Sequence, residues 1–121
     1  MKKCNNIKVY LATPYSHEDK MLHSIRFEQV SAKAAQLMEE GYKVFSPISH
    51  SHPISTYCKP EINTHDFWLN QDFWILELCD EMHILCLDGW RTSKGVDAEI
   101  TKANELGIPI VHHYYIRGRR I

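Results

Sequence analysis

Strand-like and helix-like segments alternate along this chain, and that alternation narrows the possible folds more than any other feature. Residues 7–12 (Ile-Lys-Val-Tyr-Leu-Ala) are β-branched, aromatic and apolar, and they stop at the turn signal Thr13-Pro14. Between 19 and 40, Phe27, Val30, Ala34, Leu37 and Met38 recur at helical spacing, and Gly41 is placed to cap that helix. Residues 42–45 read as a second strand, 64–78 as a helix and 82–87 as a third strand. Residues 96–106 follow as a helix closed by Gly107, and 108–111 as a fourth strand. Residues 48–63, polar and carrying Pro53 and Pro60, read as a long loop. Such alternation calls for right-handed crossovers, which lay helices over both faces of a parallel sheet.

The 121 residues suffice for one domain of this kind, and neither an internal repeat nor a domain boundary interrupts them. The expected architecture is an α/β single-domain three-layer sandwich with a four- to five-stranded parallel sheet, flavodoxin/Rossmann-like. With 44% hydrophobic and 24% charged residues the composition is that of a folded domain. A net charge of −1 provides no global field for nucleic acid or an anionic membrane, and no apolar run reaches transmembrane length. Cys4, Cys58, Cys79 and Cys86 form no C-x-x-C pair, and the first residues do not resemble a secretion leader. The expectation is a cytoplasmic protein with reduced thiols, no cofactor, and neither nucleic acid nor membrane as partner.

In open parallel sheets ligands bind at the carboxyl ends of the strands. Those ends fall at 12–16, 46–52 and 88–95, where the most chemically suggestive residues gather. The richest stretch runs Leu87-Asp88-Gly89-Trp90-Arg91-Thr92-Ser93-Lys94-Gly95-Val96-Asp97-Ala98-Glu99. A strand delivers Asp88, a loop turns the chain, and a helix begins. Backbone N–H groups at that helix start suit a phosphate, and Gly95 lets a ligand approach the backbone. Glu99 would stand beside whatever the loop binds. It equally fits a structural role, since an acidic residue early in a helix is favoured by the dipole.

This strand-Asp-Gly-loop-Ser-x-Gly-Val-x-x-Glu arrangement, with Cys79-Asp80 before its strand, resembles the nucleoside 2-deoxyribosyltransferase superfamily. Val9-Tyr10-Leu11-Ala12-Thr13-Pro14-Tyr15-Ser16 resembles the first strand and loop of that group. Tyr15-Ser16-His17, Phe45-Ser46-Pro47, Ser51-His52-Pro53-Ile54 and Leu87-Asp88-Gly89-Trp90 more closely resemble its DUF1937 branch. The resemblance implies that Glu99 attacks the anomeric carbon of a nucleotide and displaces the base, forming a glycosyl-enzyme ester. It implies that Tyr10 positions that carboxylate and that Asp80 lies near the departing base. Each also has a bland reading, Tyr10 as a strand residue and Asp80 as a turn cap. Nucleoside-transferring members carry an Asp six residues before the nucleophile, where this chain has Ser93. A hydroxyl can donate to a 5′-phosphate that a carboxylate would repel, so Ser93 favours a nucleoside 5′-monophosphate.

Ser16, Asp88, Gly95 and His52 complete the expected substrate contacts, with Arg26 a further candidate that equally reads as a surface residue. Asp66 and Asp72 read first as exposed helix residues, with the site as the alternative that the resemblance offers. His50 and His52 invite a metal reading only if their segment is extended, and no third ligand stands out; no metal is expected. His112-His113 would end the last strand, and Arg117-Gly118-Arg119-Arg120 reads as a basic tail that could reach a neighbouring subunit's site. The resemblance implies a homodimer or higher homo-oligomer. Three functions follow as expectations: N-glycoside hydrolysis of a (deoxy)nucleoside 5′-monophosphate, deoxyribosyl transfer to a second base, or nucleotide binding without turnover.

Overall fold

Val9, Tyr10, Leu11 and Ala12 are all buried, as a strand covered on both faces requires. In the computed structural model, which describes residues 6–16, 19–116 and 119–120, they belong to β1 (Lys8–Ala12) at the centre of the sheet. The chain continues through α1 (Lys20–Glu39), β2 (Lys43–Phe45), α2 (Pro47–Ser55), α3 (His65–Leu76) and β3 (Glu81–Cys86). A 3₁₀ turn at Trp90–Thr92 then leads into α4 (Lys94–Leu106), followed by β4 (Ile110–Ile116) and β5 (Arg119–Arg120). The strand order is β2-β1-β3-β4-β5. The first four strands are parallel, with Tyr10 opposite Phe45 and Met82, and β5 returns antiparallel to β4.

Alternation along the strands divides the core between the two faces. Leu11, Leu85 and Leu87 pack with Val30, Ala34 and Leu37 of α1 on one face. Tyr10, Ala12, Met82 and Ile84 pack on the other with Leu76 of α3 and Val96 and Ala103 of α4. The result is the three-layer flavodoxin/Rossmann-like sandwich expected from the alternation. Gly107 ends α4 in the left-handed conformation (φ 71°), which spares a side chain the strain of that position. Among the described residues no helix is long and apolar enough to cross a membrane.

Two segments depart from the sequence reading. Part of the expected loop at 48–63 is the helix α2. Ser46 caps it by accepting from the Ser49 N–H, and Pro47 occupies its first turn, where a missing N–H costs nothing. Pro53 lies inside the helix near its end and removes one internal bond. The polar side chains and Pro53 obscured a start signal that Ser46-Pro47 already carried. The last strand also runs further than expected: His112 and His113 lie within β4, paired opposite Ile84 and Leu85. Backbone pairing of Tyr115 with Arg120 and Ile116 with Arg119 draws part of the basic tail into the sheet. Arg117 and Gly118 lie outside the described residues, as do the side chains of Arg119 and Arg120.

Candidate active site

Parallel strands β1, β2 and β3 release their chain at one edge of the sheet, and each is followed there by a helix start. Asp19, Ser46 and Ser93 cap α1, α2 and α4 by accepting from backbone N–H groups in the first turn. Thr64 caps α3 in the same way. Between these ends lies a cleft of about 900 Å³. Residues near all four helix starts, Lys20, Pro47, His65 and Lys94, line it, so the positive ends of four helix dipoles border one cavity. That setting favours an anionic ligand group.

Glu99, in the second turn of α4, lines this cleft and is only 7% exposed. The fully buried Tyr10 on β1 donates its hydroxyl to Glu99 Oε2 at 2.6 Å. Strand alternation explains the encounter: Tyr10 points toward the face covered by α3 and α4, where α4 carries Glu99. Asp72 on α3 also lines the cleft and is buried. Burial raises the Glu99 carboxyl to about 8; the Tyr10 hydrogen bond opposes that rise and the Asp72 charge adds to it. Burial alone pushes Asp72 up to about 7. The Tyr10 hydroxyl is raised well above its ordinary value, first by burial and then by Glu99, so it remains a proton donor. Both buried carboxyl groups at the cleft therefore keep their protons to a far higher pH than ordinary carboxylic acids, Glu99 through neutrality and Asp72 up to about 7.

Ser93 lines the cleft and accepts from the Val96 N–H at 3.2 Å, which leaves its own O–H proton to donate. A Cβ added at Gly95 would meet only Ser93 Oγ, at 3.9 Å, so the space that this glycine leaves belongs to the cleft. Ser16 and His52 line the opposite parts of the wall. His52 Nδ1 shares a hydrogen bond with the Tyr15 hydroxyl, and its ring stacks on Phe27 at 4.4 Å. Those contacts fix the ring at the cleft's edge.

Other expected site residues lie elsewhere. Asp80 precedes β3 at the far end of the sheet, exposed, and its carboxylate accepts from the Lys8 N–H at 2.9 Å. The length of β3 separates it from the cleft, because the two ends of a six-residue strand lie roughly 20 Å apart. Together with the Asp80 N–H, which donates to the Lys8 carbonyl at 2.8 Å, that contact ties the start of β3 to the start of β1. Arg26 is buried, not on the surface: it donates to the backbone carbonyls of Asp88 at 2.9 Å and Ser16 at 3.4 Å. It thereby ties the β1–α1 loop to the β3–α4 loop, while the Asp88 side chain does not line the cleft. Gly89, at φ 89°, makes the turn beside that guanidinium.

Asp72, expected first on an exposed helix face, is buried at the cleft, whereas Asp66 is exposed. Leu69, Asp72 and Leu76 fall at helical spacing, a pattern that could have marked Asp72 as inward-facing. His50 and His52 are not on one face, because two residues along a helix turn the side chain by about 200°. Instead His50 packs near Phe45, with ring centroids 5.6 Å apart. A search of curated proteins finds no match to this chain. The family model described as "Domain of unknown function (DUF1937)" matches residues 7–114. That match takes in every strand and helix that builds the cleft, and the chain belongs to the DUF1937 family.

Proposed function

We propose that this protein is an N-glycoside hydrolase of nucleoside 5′-monophosphates, within a branch of the nucleoside 2-deoxyribosyltransferase superfamily. The observation that carries the reading is the buried Glu99 carboxyl, held by Tyr10 at 2.6 Å on the floor of a cleft bordered by four helix starts. Ser93 and the α4 N-terminus receive the phosphate, which sets the anomeric carbon beside Glu99. The positive charge that develops at that carbon favours the ionised form of Glu99, whose proton passes to solvent as substrate binds, while Asp72 keeps its own.

Glu99 then forms a bond to the anomeric carbon as the bond to the base nitrogen breaks. The electron pair leaves with the base, which takes the Asp72 proton. Water next attacks the same carbon, gives its proton to Asp72 and frees the Glu99 carboxylate. The products are the free base and a sugar phosphate; Asp72 ends protonated, and the Glu99 carboxylate regains a proton from solvent as the products leave. On this reading the enzyme is a cytoplasmic homo-oligomer.

The test is chromatography of wild type and Glu99→Ala after incubation with ribo- and deoxyribonucleoside monophosphates and the matching nucleosides. Base release from the phosphorylated substrates, reduced by about 10³-fold or more in Glu99→Ala, is expected. Ser93→Asp preserves the helix cap but places a carboxylate at the phosphate, so KM for the monophosphate should rise about tenfold or more. Equal turnover by Glu99→Ala would overturn the mechanism. Release that requires an added acceptor base would make the protein a transferase.

A further inference from the structure

We infer that Ser51 and Asn63 read the base of the substrate and select one that carries a carbonyl oxygen; this rests on the N-glycosidase reading above. Ser51 is 7% exposed, and among the described residues its Oγ is the one buried side-chain oxygen or nitrogen with no hydrogen-bond partner. Its neighbours on α2 show how unusual that is. Ser49 shares hydrogen bonds with Ser31 and Ser46, and Ser55 donates to the His52 carbonyl at 2.8 Å. A buried hydroxyl without a partner is destabilising, and native proteins leave few of them. Ser51 also lines the cleft, so rotation about its Cα–Cβ bond turns the hydroxyl toward a ligand.

Sheet order assigns that ligand group. α2 follows β2 and α4 follows β3, with β1 between the two strands. Ser51 and Ser93 therefore stand on opposite sides of the cleft. In a nucleotide the phosphate and the base lie on opposite sides of the sugar. With phosphate at Ser93 and the anomeric carbon at Glu99, the base falls against the wall that α2 and the start of α3 build.

Asn63 lines the same wall just before α3, and the Trp68 indole N–H donates to its Oδ1. An indole nitrogen can only donate, so the amide must turn its carbonyl toward Trp68 and its NH₂ group away. Asparagine pairs well with adenine only when carbonyl and NH₂ face the base together. Here the carbonyl is turned to Trp68, and Asn63 presents its NH₂ group to the base. An NH₂ group suits a base carbonyl oxygen, as on guanine, hypoxanthine, cytosine, thymine or uracil, and cannot pair with the exocyclic amine that adenine carries in its place. Ser51, able to donate or accept, reads a second position on that edge.

The test measures kcat and KM for base release from the monophosphates of adenine, guanine, cytosine, thymine and uracil, in ribo and deoxy forms. Wild type should prefer at least one carbonyl-bearing base over adenine by about tenfold or more. Ser51→Ala should raise KM for that substrate about tenfold at nearly unchanged kcat, without lowering the thermal midpoint. Asn63→Ala should shrink the preference over adenine to about threefold or less. Adenine monophosphate as best substrate would overturn the proposal, and so would unaltered KM and preference in both variants. Wild type that releases base from none of these substrates would overturn the N-glycosidase reading itself, and this inference with it.

Discussion

Two buried clusters of titratable groups sit on opposite faces of the sheet, and they manage their polarity in opposite ways. On the face covered by α1, His83 is 1% exposed and has both ring nitrogens engaged. Nε2 donates to Glu81 Oε1 at 2.7 Å, and Nδ1 lies 2.8 Å from His113 Nε2. Tyr42 packs edge-on against the ring. Burial, the largest influence, lowers its proton affinity despite the Glu81 hydrogen bond, which keeps the imidazole neutral near pH 7. On the other face Glu99 has the Tyr10 hydrogen bond and Asp72 is buried with a raised carboxyl, and at the same cleft Ser51 Oγ has no partner among the described residues. The first cluster satisfies itself. The second leaves hydrogen-bonding capacity and displaced protons at a cleft, which is how a site prepared for chemistry differs from a structural network.

The comparison is broken most sharply by altering Asp72. Replacement by asparagine keeps the shape but removes the transferable proton, so kcat for base release should fall by about 10²-fold or more. A pH–rate profile should also lose its alkaline limb, which deprotonation of Asp72 from about 7 upward would otherwise produce. An unchanged profile would remove Asp72 from proton transfer.

His83→Leu should do the reverse. It removes the ring that bonds both Glu81 and His113 and lowers unfolding free energy by about 1–3 kcal/mol, with kcat unaffected. Chemical denaturation alongside the activity assay measures both, and a loss of kcat at full stability would show that the two clusters are coupled.

The smallest effect is on the pH dependence of stability, where the two faces carry opposite signs. Glu99 and Asp72 have folded-state values of about 8 and 7, above their ordinary 4.5 and 3.8. Across that window the unfolded chain has released protons that the folded chain keeps, so stability falls as pH rises from roughly 4 to 8. His83 is lowered from 6.5, so an unfolded chain gains a proton below that pH that the folded chain refuses, and stability falls as pH drops. Glu99→Gln should therefore raise the thermal midpoint at pH 8 relative to wild type by a few degrees and leave it nearly unchanged at pH 4.5. A midpoint raised equally at both pH values would mean that the carboxyl's protonation is not responsible.

The proposed mechanism is like that of retaining glycosidases in its chemistry alone: a carboxylate beneath an anomeric carbon and a second carboxyl that moves the proton. What this protein adds is the setting. Glu99, the proposed nucleophile, is desolvated by burial, and the anionic end of the proposed substrate meets helix starts. Arg26 shows the contrast. Its guanidinium is spent on two backbone carbonyls that hold the loops together, not on the cleft wall.

The alternation of β-branched runs with helical spacing determined the layers, the parallel sheet and the strand ends where the cleft forms, because local periodicity and crossover handedness leave few alternatives. Ser93, Gly95 and Glu99 were legible as a group because one loop and one helix turn place them together. The tertiary structure decided what depends on residues far apart in sequence. Tyr10 meets Glu99 across 89 positions only because β1 lies beside β3 under α4. Asp80, adjacent to a promising strand, falls at its wrong end, while Asp72 reaches the cleft from a helix whose inward face is set by packing. Arg26 turns inward because two carbonyls await it. Sequence spacing fixes which face of an element a residue shares with its neighbours; burial against other elements decides which face meets solvent, core or substrate.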